Sequence, residues 1–175
     1  MVSVLLCGCS NQDDMEEALA MRSRLLGEGC SFCCDITADY IDYVEEFELQ
    51  CMVDREGMLE FEVAEPHSIR GIRGSVSGRE GTLDYEDLVL AFPLMADDRL
   101  SPVAAPWILV QALRTGYITA CVREGEQLHL TVDDSYGEDP LTLEIWLEDG
   151  KVEACEIGWR GRRMLSMEVE DFALQ

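Results

Sequence analysis

Residues 101–116, SPVAAPWILVQALRTG, restrict the possible folds of this chain more than any other segment. The segment has the length of a helix, and its only strongly polar side chain between Pro102 and Leu113 is Gln111. A helix that is apolar on nearly every side must be buried. Pro106 leaves two starts open: a helix from Pro102 that lacks one backbone hydrogen bond, or a helix of about three turns from Pro106. In both cases we expect a buried rod packed against a curved sheet.

The sequence on both sides of this segment predicts an antiparallel sheet. Residues 13–26 carry apolar side chains at helical spacing and acids in the first turn, which predicts an amphipathic helix. Elsewhere apolar and polar residues alternate with the period of a strand. The segments with this pattern are 32–40, 47–53, 59–63, 117–123, 127–132, 141–147, 152–159 and 164–169. Residues 69–76, broken up by glycines, predict a bent or bulged strand, and 83–85 and 88–92 predict short strands. The pattern indicates an α+β fold in which a large curved antiparallel sheet surrounds helices.

The composition restricts the partners that the chain can have. Among 175 residues, 36 are acidic and 13 are basic, which gives a formal net charge of −23. Such a charge repels phosphate backbones and anionic lipid surfaces, so nucleic acid is excluded as a partner class. The sequence lacks a run of about 18 apolar residues that could span a bilayer. Membrane association would therefore need a lipid anchor or a partner.

The N-terminal residues Leu6-Cys7-Gly8-Cys9 resemble a bacterial lipobox. This resemblance implies a diacylglycerol on Cys9 and removal of the residues before it, and two acyl chains make an attachment durable. The segment before Cys7 holds no Lys or Arg, and its apolar stretch is short for a signal peptide. We therefore expect an in-frame start upstream of Met1. The alternative is that residues 2–7 form a first strand or a frayed end.

This interpretation divides the chain into three parts. Residues 1–9 are a truncated signal peptide with its lipobox, residues 10–14 are a short polar tether, and residues 15–175 form a single domain. It also predicts a location at the extracytoplasmic face of the cell membrane. If the N-terminus is not a lipobox, the expected location is the cytoplasm.

Four sequence stretches resemble the LolA/LolB-like lipoprotein-carrier superfamily: EVAEPHSIRGI, LDYEDLVLAFP, SPVAAPWILVQAL and PLTLEIWLEDGKVEACEIGWRGRRMLSMEVEDF. The resemblance implies an open, unclosed β-barrel of about 10–11 strands with helices packed in its concave face. It further implies that the hollow between sheet and helices binds an acyl chain or lipoprotein, or that the same face holds a protein partner. In the defining carrier an arginine bonds to the lid helix, and Arg22, Arg70, Arg73 and Arg123 are the candidates here.

Aromatic and aliphatic residues on the apolar strand faces and on the central segment are the candidates for lining such a hollow. They are Phe32, Ile36, Phe47, Leu49, Leu59, Phe61, Trp107, Val110 and Trp146. A packed core and a lipid-binding cavity have the same composition, so the sequence leaves both roles open.

The sequence offers little chemistry for catalysis or metal binding. Cys30, Cys33 and Cys34 are spaced loosely like a metal or redox motif, but no second pair completes a ligand set. A disulfide that involves Cys30 or Cys33 is the more plausible alternative. Neither His67 nor His129 has a nucleophile at a recognisable spacing. We therefore expect no enzyme activity, no metal and no cofactor.

Two hypotheses of different classes remain. The first is a non-catalytic, lipid-anchored extracytoplasmic lipoprotein that binds an acyl chain, or docks an envelope protein, through its concave face. The alternative is a structural or scaffolding domain of a cell-envelope complex, without a small-molecule ligand, whose acidic surface meets a basic partner.

Overall fold

An antiparallel sheet and two α-helices make up most of the computed structural model, which describes residues 10–78, 80–85, 88–137 and 139–175. The first half of the sheet contains the strands β1 Cys30–Asp39, β2 Val44–Val53, β3 Leu59–Glu65, β4 Arg73–Ser77, β5 Glu80–Tyr85 and β6 Leu88–Pro93. The second half contains β9 Tyr117–Glu124, β10 Gln127–Asp133, β11 Leu141–Glu148, β12 Lys151–Trp159 and β13 Arg162–Leu174. The remaining elements are β7 Met95–Ala96, β8 Arg99–Leu100, α1 Ser10–Gly27, α2 Ala105–Thr115 and the 3-10 helices His67–Ile69 and Pro102–Ala104.

The first and last strands of the chain meet in the middle of the sheet. In the described residues the order of its eleven strands is β6-β5-β4-β3-β2-β1-β13-β12-β11-β10-β9, and every neighbouring pair is antiparallel. The strands β6 and β9 stand at opposite edges, so the barrel is open. The α+β fold with a large, unclosed antiparallel sheet that the sequence predicts is confirmed.

The alternation along β1 separates an apolar face from an acidic one. Ile36 is 1% exposed and pairs with Phe47 on one side and Met167 on the other. On the opposite face Asp35 lies directly between Glu48 and Glu168. Like charges at directly opposed positions repel, so this face is built to remain in water or to meet a cationic partner.

The helix α2 lies in the concave side of the sheet. It contacts both β2 and β10, which are five strand positions apart in the sheet order. A flat sheet would separate these strands by roughly 24 Å at about 4.8 Å per position, so the sheet must curve around the helix. Leu109 and Val110 are fully buried, as the apolar sequence of the segment predicts.

Pro106 sets the start of α2. The helix begins at Ala105, and a 3-10 turn over Pro102–Ala104 precedes it. Pro106 therefore occupies the first turn, where a backbone N–H has no intrahelical partner to lose. Of the two starts that the sequence left open, the shorter helix is the one observed.

The helix α1 begins three residues earlier than the pattern at 13–26 predicts. Residues 10–14, expected to be a polar tether, are helical, because α1 spans Ser10–Gly27. Asp13 suits the first turn of a helix, where the backbone N–H groups favour negative charge. Asp14 is held by Arg123 of β9, with 2.7 Å between Oδ1 and Nε. In the described part of the chain no helix is long and apolar enough to cross a bilayer.

Candidate functional site

A cleft of about 530 Å³ opens beside α2, between the helix, the β6–β7 connection and the strands β11 and β12. One set of lining residues is apolar: Pro93, Leu94, Met95, Leu100, Trp107, Ile108, Ala112, Leu141 and Trp159. The polar lining residues are Gln111, Thr115, Asp134, Ser135 and Asp139. The size and the mixture of apolar wall and a few polar groups are typical of a small-molecule site.

Trp107 is fixed in the cleft wall through its indole nitrogen. Its Nε1 donates to the Gly57 carbonyl at 3.1 Å, and Gln111 Nε2 donates to the same oxygen at 3.1 Å. Gly57 has a φ of 89°, and a Cβ on it would lie 2.6 Å from Gln111 Nε2. A glycine at this turn therefore lets α2 approach the turn between β2 and β3. Because the Gly57 carbonyl accepts its N–H, the Trp107 indole needs no polar partner from a ligand.

Two arginines join α2 to α1. Arg22 of α1 donates to the carbonyls of Leu113 at 2.8 Å and Gly116 at 2.7 Å, at the C-terminal end of α2. Arg114 of α2 donates to the Leu25 carbonyl at 2.5 Å, near the C-terminal end of α1. Burial lowers the pKa of Arg22 from its ordinary value. Each guanidinium satisfies carbonyl groups that lack a partner within their own helix.

Of the four candidate arginines from the sequence, Arg22 is the one with hydrogen bonds to the end of α2. Arg70 bonds to the carbonyl of Ala64 and to Glu65, and Arg73 pairs with Glu62. Arg123 binds α1 instead, as described above. No sequence signal distinguished Arg22, because its partners lie more than ninety residues away along the chain.

Most of the predicted lining residues lie in the packed interior. Six of them are at most 3% exposed and belong to one continuous core: Phe32, Ile36, Leu49, Leu59, Phe61 and Val110. None of these six residues lines the cleft beside the helix. Phe47 faces the same side and is partly buried against this core.

The two tryptophans among the predicted lining residues lie on opposite faces of the sheet. Trp107 lines the cleft. Trp146 has the fully buried neighbours Ile145 and Leu147 in β11, so its own side chain lies on the outer face. There it stacks on His129, with 4.8 Å between ring centroids. The sequence alternation of β11 predicts this orientation, because it places Trp146 on the same face as the polar residues of the strand.

The outer face of the sheet holds a second and larger groove, of about 910 Å³. Its lining includes seven carboxylates: Asp35, Glu46, Glu48, Glu65, Glu153, Glu156 and Glu168. Glu156 is paired with Arg163, with 2.5 Å between Oε1 and Nη1. A groove lined by so many carboxylates does not suit an acyl chain, since charged side chains lose solvation when hydrocarbon covers them.

Six cysteines in the described residues are free thiols: Cys30, Cys33, Cys34, Cys51, Cys121 and Cys155. The sulfur atoms of Cys34 and Cys51 lie 4.0 Å apart in the core. Burial raises the pKa of Cys30 to about 12 and also raises the pKa of Cys155. These thiols behave as small apolar core residues. Cys9, the predicted lipidation site, lies outside the described residues.

The structure does not bring the histidines into a catalytic arrangement. His129 Nε2 lies 2.7 Å from Glu144 Oε2, a close contact without hydrogen-bond geometry. His67 lies in the 3-10 helix that follows β3. Within residues 10–78, 80–85, 88–137 and 139–175, no three His, Cys, Asp or Glu side chains are grouped to hold a metal ion.

Several solved structures share this architecture. An uncharacterized conserved protein from Thermus thermophilus aligns at a TM-score of 0.50 and 12% identity, over 92% of this chain and 87% of that chain. A LolA superfamily protein from Nitrosomonas europaea aligns at 0.42 and 9% identity, over 90% and 93%. The Mycobacterium tuberculosis lipoprotein LppX aligns at 0.46 and 10% identity, over 94% and 96%. The alignment with the Thermus thermophilus protein shows a shared fold.

The architecture that the resemblance to the LolA/LolB-like superfamily implies, an unclosed antiparallel sheet with a helix on its concave side, is confirmed. No protein-family model matches the chain, and no curated protein matches it. Identities of 9–12% show at most a shared fold and say nothing about a ligand or an activity. The function must be argued from the site itself.

Proposed function

We propose that this protein is a non-catalytic lipoprotein that binds an acyl chain in the cleft beside α2. The observation that carries this proposal is the cleft itself, about 530 Å³ in volume with an apolar wall that includes Leu94, Leu141 and Trp159. Each methylene that leaves water for such a wall contributes about 0.8 kcal/mol. An acyl chain is the simplest ligand that gains its affinity in this way.

The polar side of the cleft favours a neutral or cationic head group. Asp134 and Asp139 both line it. A hydrogen bond from Arg160, with 2.7 Å between Nη2 and Oδ2, lowers the pKa of Asp139, so this carboxylate stays charged. A phosphate head group would meet two like charges here. Hydroxyl groups, as in an acylglycerol, could bond to Ser135 and to the carboxylates without that repulsion.

A diacylglycerol on Cys9 would hold the protein at the extracytoplasmic face of the cell membrane. A net charge of −23 opposes unaided adsorption to an anionic surface. Two acyl chains supply enough buried hydrocarbon to overcome this repulsion. We therefore propose anchoring through the N-terminal lipobox, with the cleft available to a lipid of the same membrane. The division into lipobox, residues 10–14 and a single domain remains a prediction.

Native mass spectrometry with monopalmitoylglycerol tests the binding part of this proposal. The chain of residues 1–175 is delipidated and mixed with the lipid, and the masses of its complexes are recorded. A single adduct that survives mild activation supports the proposal. The absence of an adduct, or binding of monopalmitoylglycerol and a phospholipid with equal affinity, argues against the neutral acyl ligand.

A second candidate function rests on a different observation, the carboxylate-lined groove on the outer face. This groove favours the alternative in which the domain is a scaffold of an envelope complex and meets a basic partner there. The test is the salt dependence of binding to the basic protein cytochrome c as a model ligand. The scaffold function is supported if binding falls steeply with salt and if the double variant Glu48→Gln/Glu168→Gln binds more weakly. Binding that neither salt nor the double variant affects argues against it.

A further inference from the structure

The strand β6 exposes one edge of the sheet. It is the last strand in the sheet order, and Leu88–Pro93 pairs only with β5 among the described residues. One row of its backbone N–H and C=O groups therefore lacks a strand partner. Natural proteins usually protect such an edge with charge, a bulge or a covering element, because an open edge recruits other strands.

The side chains of β6 are apolar on both faces and exposed. Val89 is 64% exposed, Leu88 54% and Leu90 48%. Phe92 lies over Gly81, whose missing side chain makes room for the ring, and packs against the core. Because side chains alternate, Leu88 and Leu90 share the helix-facing side with Phe92, and Val89 faces outward. An uncharged strand with this exposure marks an interaction surface.

The two edge strands of the sheet differ in what lies beside them. The helix α1 packs on β9. Arg123 of β9 bonds to Asp14 at 2.7 Å and also pairs with Glu17, and both acids belong to α1. At β6 the only comparable protection among the described residues is Pro93, at the end of the strand.

Charge decides between a second copy of the chain and another polypeptide. Two copies that each carry −23 repel one another, and β6 has no basic residue to offset this. Asp84, which pairs with Val89, and Glu80, which pairs with Pro93, lie on β5 directly behind the strand. A strand added beside β6 would lie two strand spacings, about 10 Å, from these carboxylates on β5. Extended Lys or Arg side chains on the added strand can reach the carboxylates by passing over the small Ala91.

We propose that the free edge of β6 binds an extended segment of another polypeptide, which adds to the sheet as a further strand. Its helix-facing side chains are apolar and pack with Leu88 and Leu90. Its outward side chains are basic and meet Asp84 and Glu80. This interaction uses backbone hydrogen bonds for affinity and alternate side chains for specificity. Its apolar contacts, Leu88 and Leu90, are not among the residues that line the cleft.

The probe for this proposal is a labelled peptide of about ten residues that alternates Val and Lys. Fluorescence anisotropy with the full chain at physiological salt should show saturable binding. A peptide that alternates Val and Glu should not bind. Two further Val-Lys peptides, N-methylated on every Val or on every Lys, test the backbone contact. At least one of them should lose binding, since only one row of amides can face β6.

A matched pair of protein variants locates the site. Val89→Lys on β6 and Val122→Lys on β9 make the same change at exposed, outward positions of the two edge strands. Val89→Lys should weaken peptide binding about fivefold, by loss of apolar contact and repulsion of the peptide lysines. Val122→Lys should leave binding unchanged. Far-ultraviolet circular dichroism confirms that both variants are folded.

Any one of four peptide-binding results would overturn the proposal. The first is the absence of peptide binding up to about 1 mM, which corresponds to less than about 4 kcal/mol of affinity. The second is equal binding of the Val-Glu peptide. The third is unchanged binding of both N-methylated peptides, and the fourth is an equal effect of Val89→Lys and Val122→Lys. A dimer in light scattering that Val89→Lys dissociates would also overturn it, in favour of pairing between two copies.

Discussion

Arg22 and Arg114 each bind the carbonyl end of the helix that the other belongs to. Arg22, on α1, bonds to Leu113 near the end of α2, and Arg114, on α2, bonds to Leu25 near the end of α1. Arg114 also donates to the Arg55 carbonyl at 2.8 Å, in the turn between β2 and β3. The guanidinium groups thus fix both helices to one another and to the sheet. This reciprocal capping holds in place the helix beside which the cleft opens.

Arg114→Met should lower the free energy of unfolding by about 3 kcal/mol. Arg114 is only 8% exposed, and its loss leaves the buried Leu25 carbonyl and the part-buried Arg55 carbonyl without their partner. Urea denaturation measures the effect. Arg24→Met is the control, because Arg24 is exposed and its nearest acid, Glu28, is 4.0 Å away. Equal stability of the two variants would show that the buried arginine is not structural.

Arg22→Gln should loosen the end of α2 without unfolding the domain. The cap that Arg22 gives to Leu113 and Gly116 is lost, and amide exchange in the last turn of α2 should quicken about tenfold. Hydrogen–deuterium exchange with mass spectrometry measures this. Arg70→Gln is the control, since Arg70 bonds to the Ala64 carbonyl away from α2. Unchanged exchange at 113–116 would contradict the capping role.

Tyr40→Phe should alter how stability depends on pH. Burial raises the pKa of Tyr40 from 10.0 to about 12, and its hydroxyl donates to the Leu100 carbonyl at 2.7 Å. A folded-state pKa above the unfolded value means that this contribution is complete below pH 10.0 and is lost as the pH rises toward about 12. Cys30, also with a raised pKa, adds to the same loss.

Urea midpoints for Tyr40→Phe and the wild-type protein across this pH range measure the difference. The variant should be less stable near neutral pH, since the hydrogen bond is gone, and should lose less stability between pH 10 and 12 than the wild-type protein. Parallel decreases of both proteins would assign the alkaline transition to other groups, with Cys30→Ala as the next variant.

The sequence was sufficient for the fold because each main element has a strong local pattern. The segment at 101–116 is apolar on nearly every side, which predicts a buried helix, and of its two possible starts the one that places Pro106 in the first turn is observed. Most strands alternate with period two, and this period also separates the apolar face from the acidic face. The same alternation places the Trp146 side chain on the outer face of the sheet, although its aromatic character had suggested that it lines the cavity.

The candidate site depended on contacts that no local pattern encodes. Arg22 and Leu113 meet only because α1 and α2 pack against each other. Leu141 and Trp159 reach the cleft from strands that follow α2, and nothing in their own segments marks them as different from core residues. The exposure of Leu90 follows from the position of β6 at the sheet edge, which is set by the pairing of β1 with β13.

The two tryptophans on opposite faces allow the most direct test of lipid binding. Both are partly buried, but Trp107 lines the cleft and Trp146 stacks on His129 on the outer face. Trp107→Ala removes apolar wall from the cleft and should weaken binding of an acyl chain by about tenfold or more. Trp146→Ala should have no effect, because an acyl chain in the cleft does not touch it.

The decisive measurement is native mass spectrometry of monopalmitoylglycerol bound to wild-type protein and to these two variants, with circular dichroism to confirm that all three are folded. We expect one lipid adduct on wild-type protein and on Trp146→Ala, and a strongly reduced adduct on Trp107→Ala. Equal lipid occupancy in the two variants, or none in the wild-type protein, would contradict binding in the cleft beside α2.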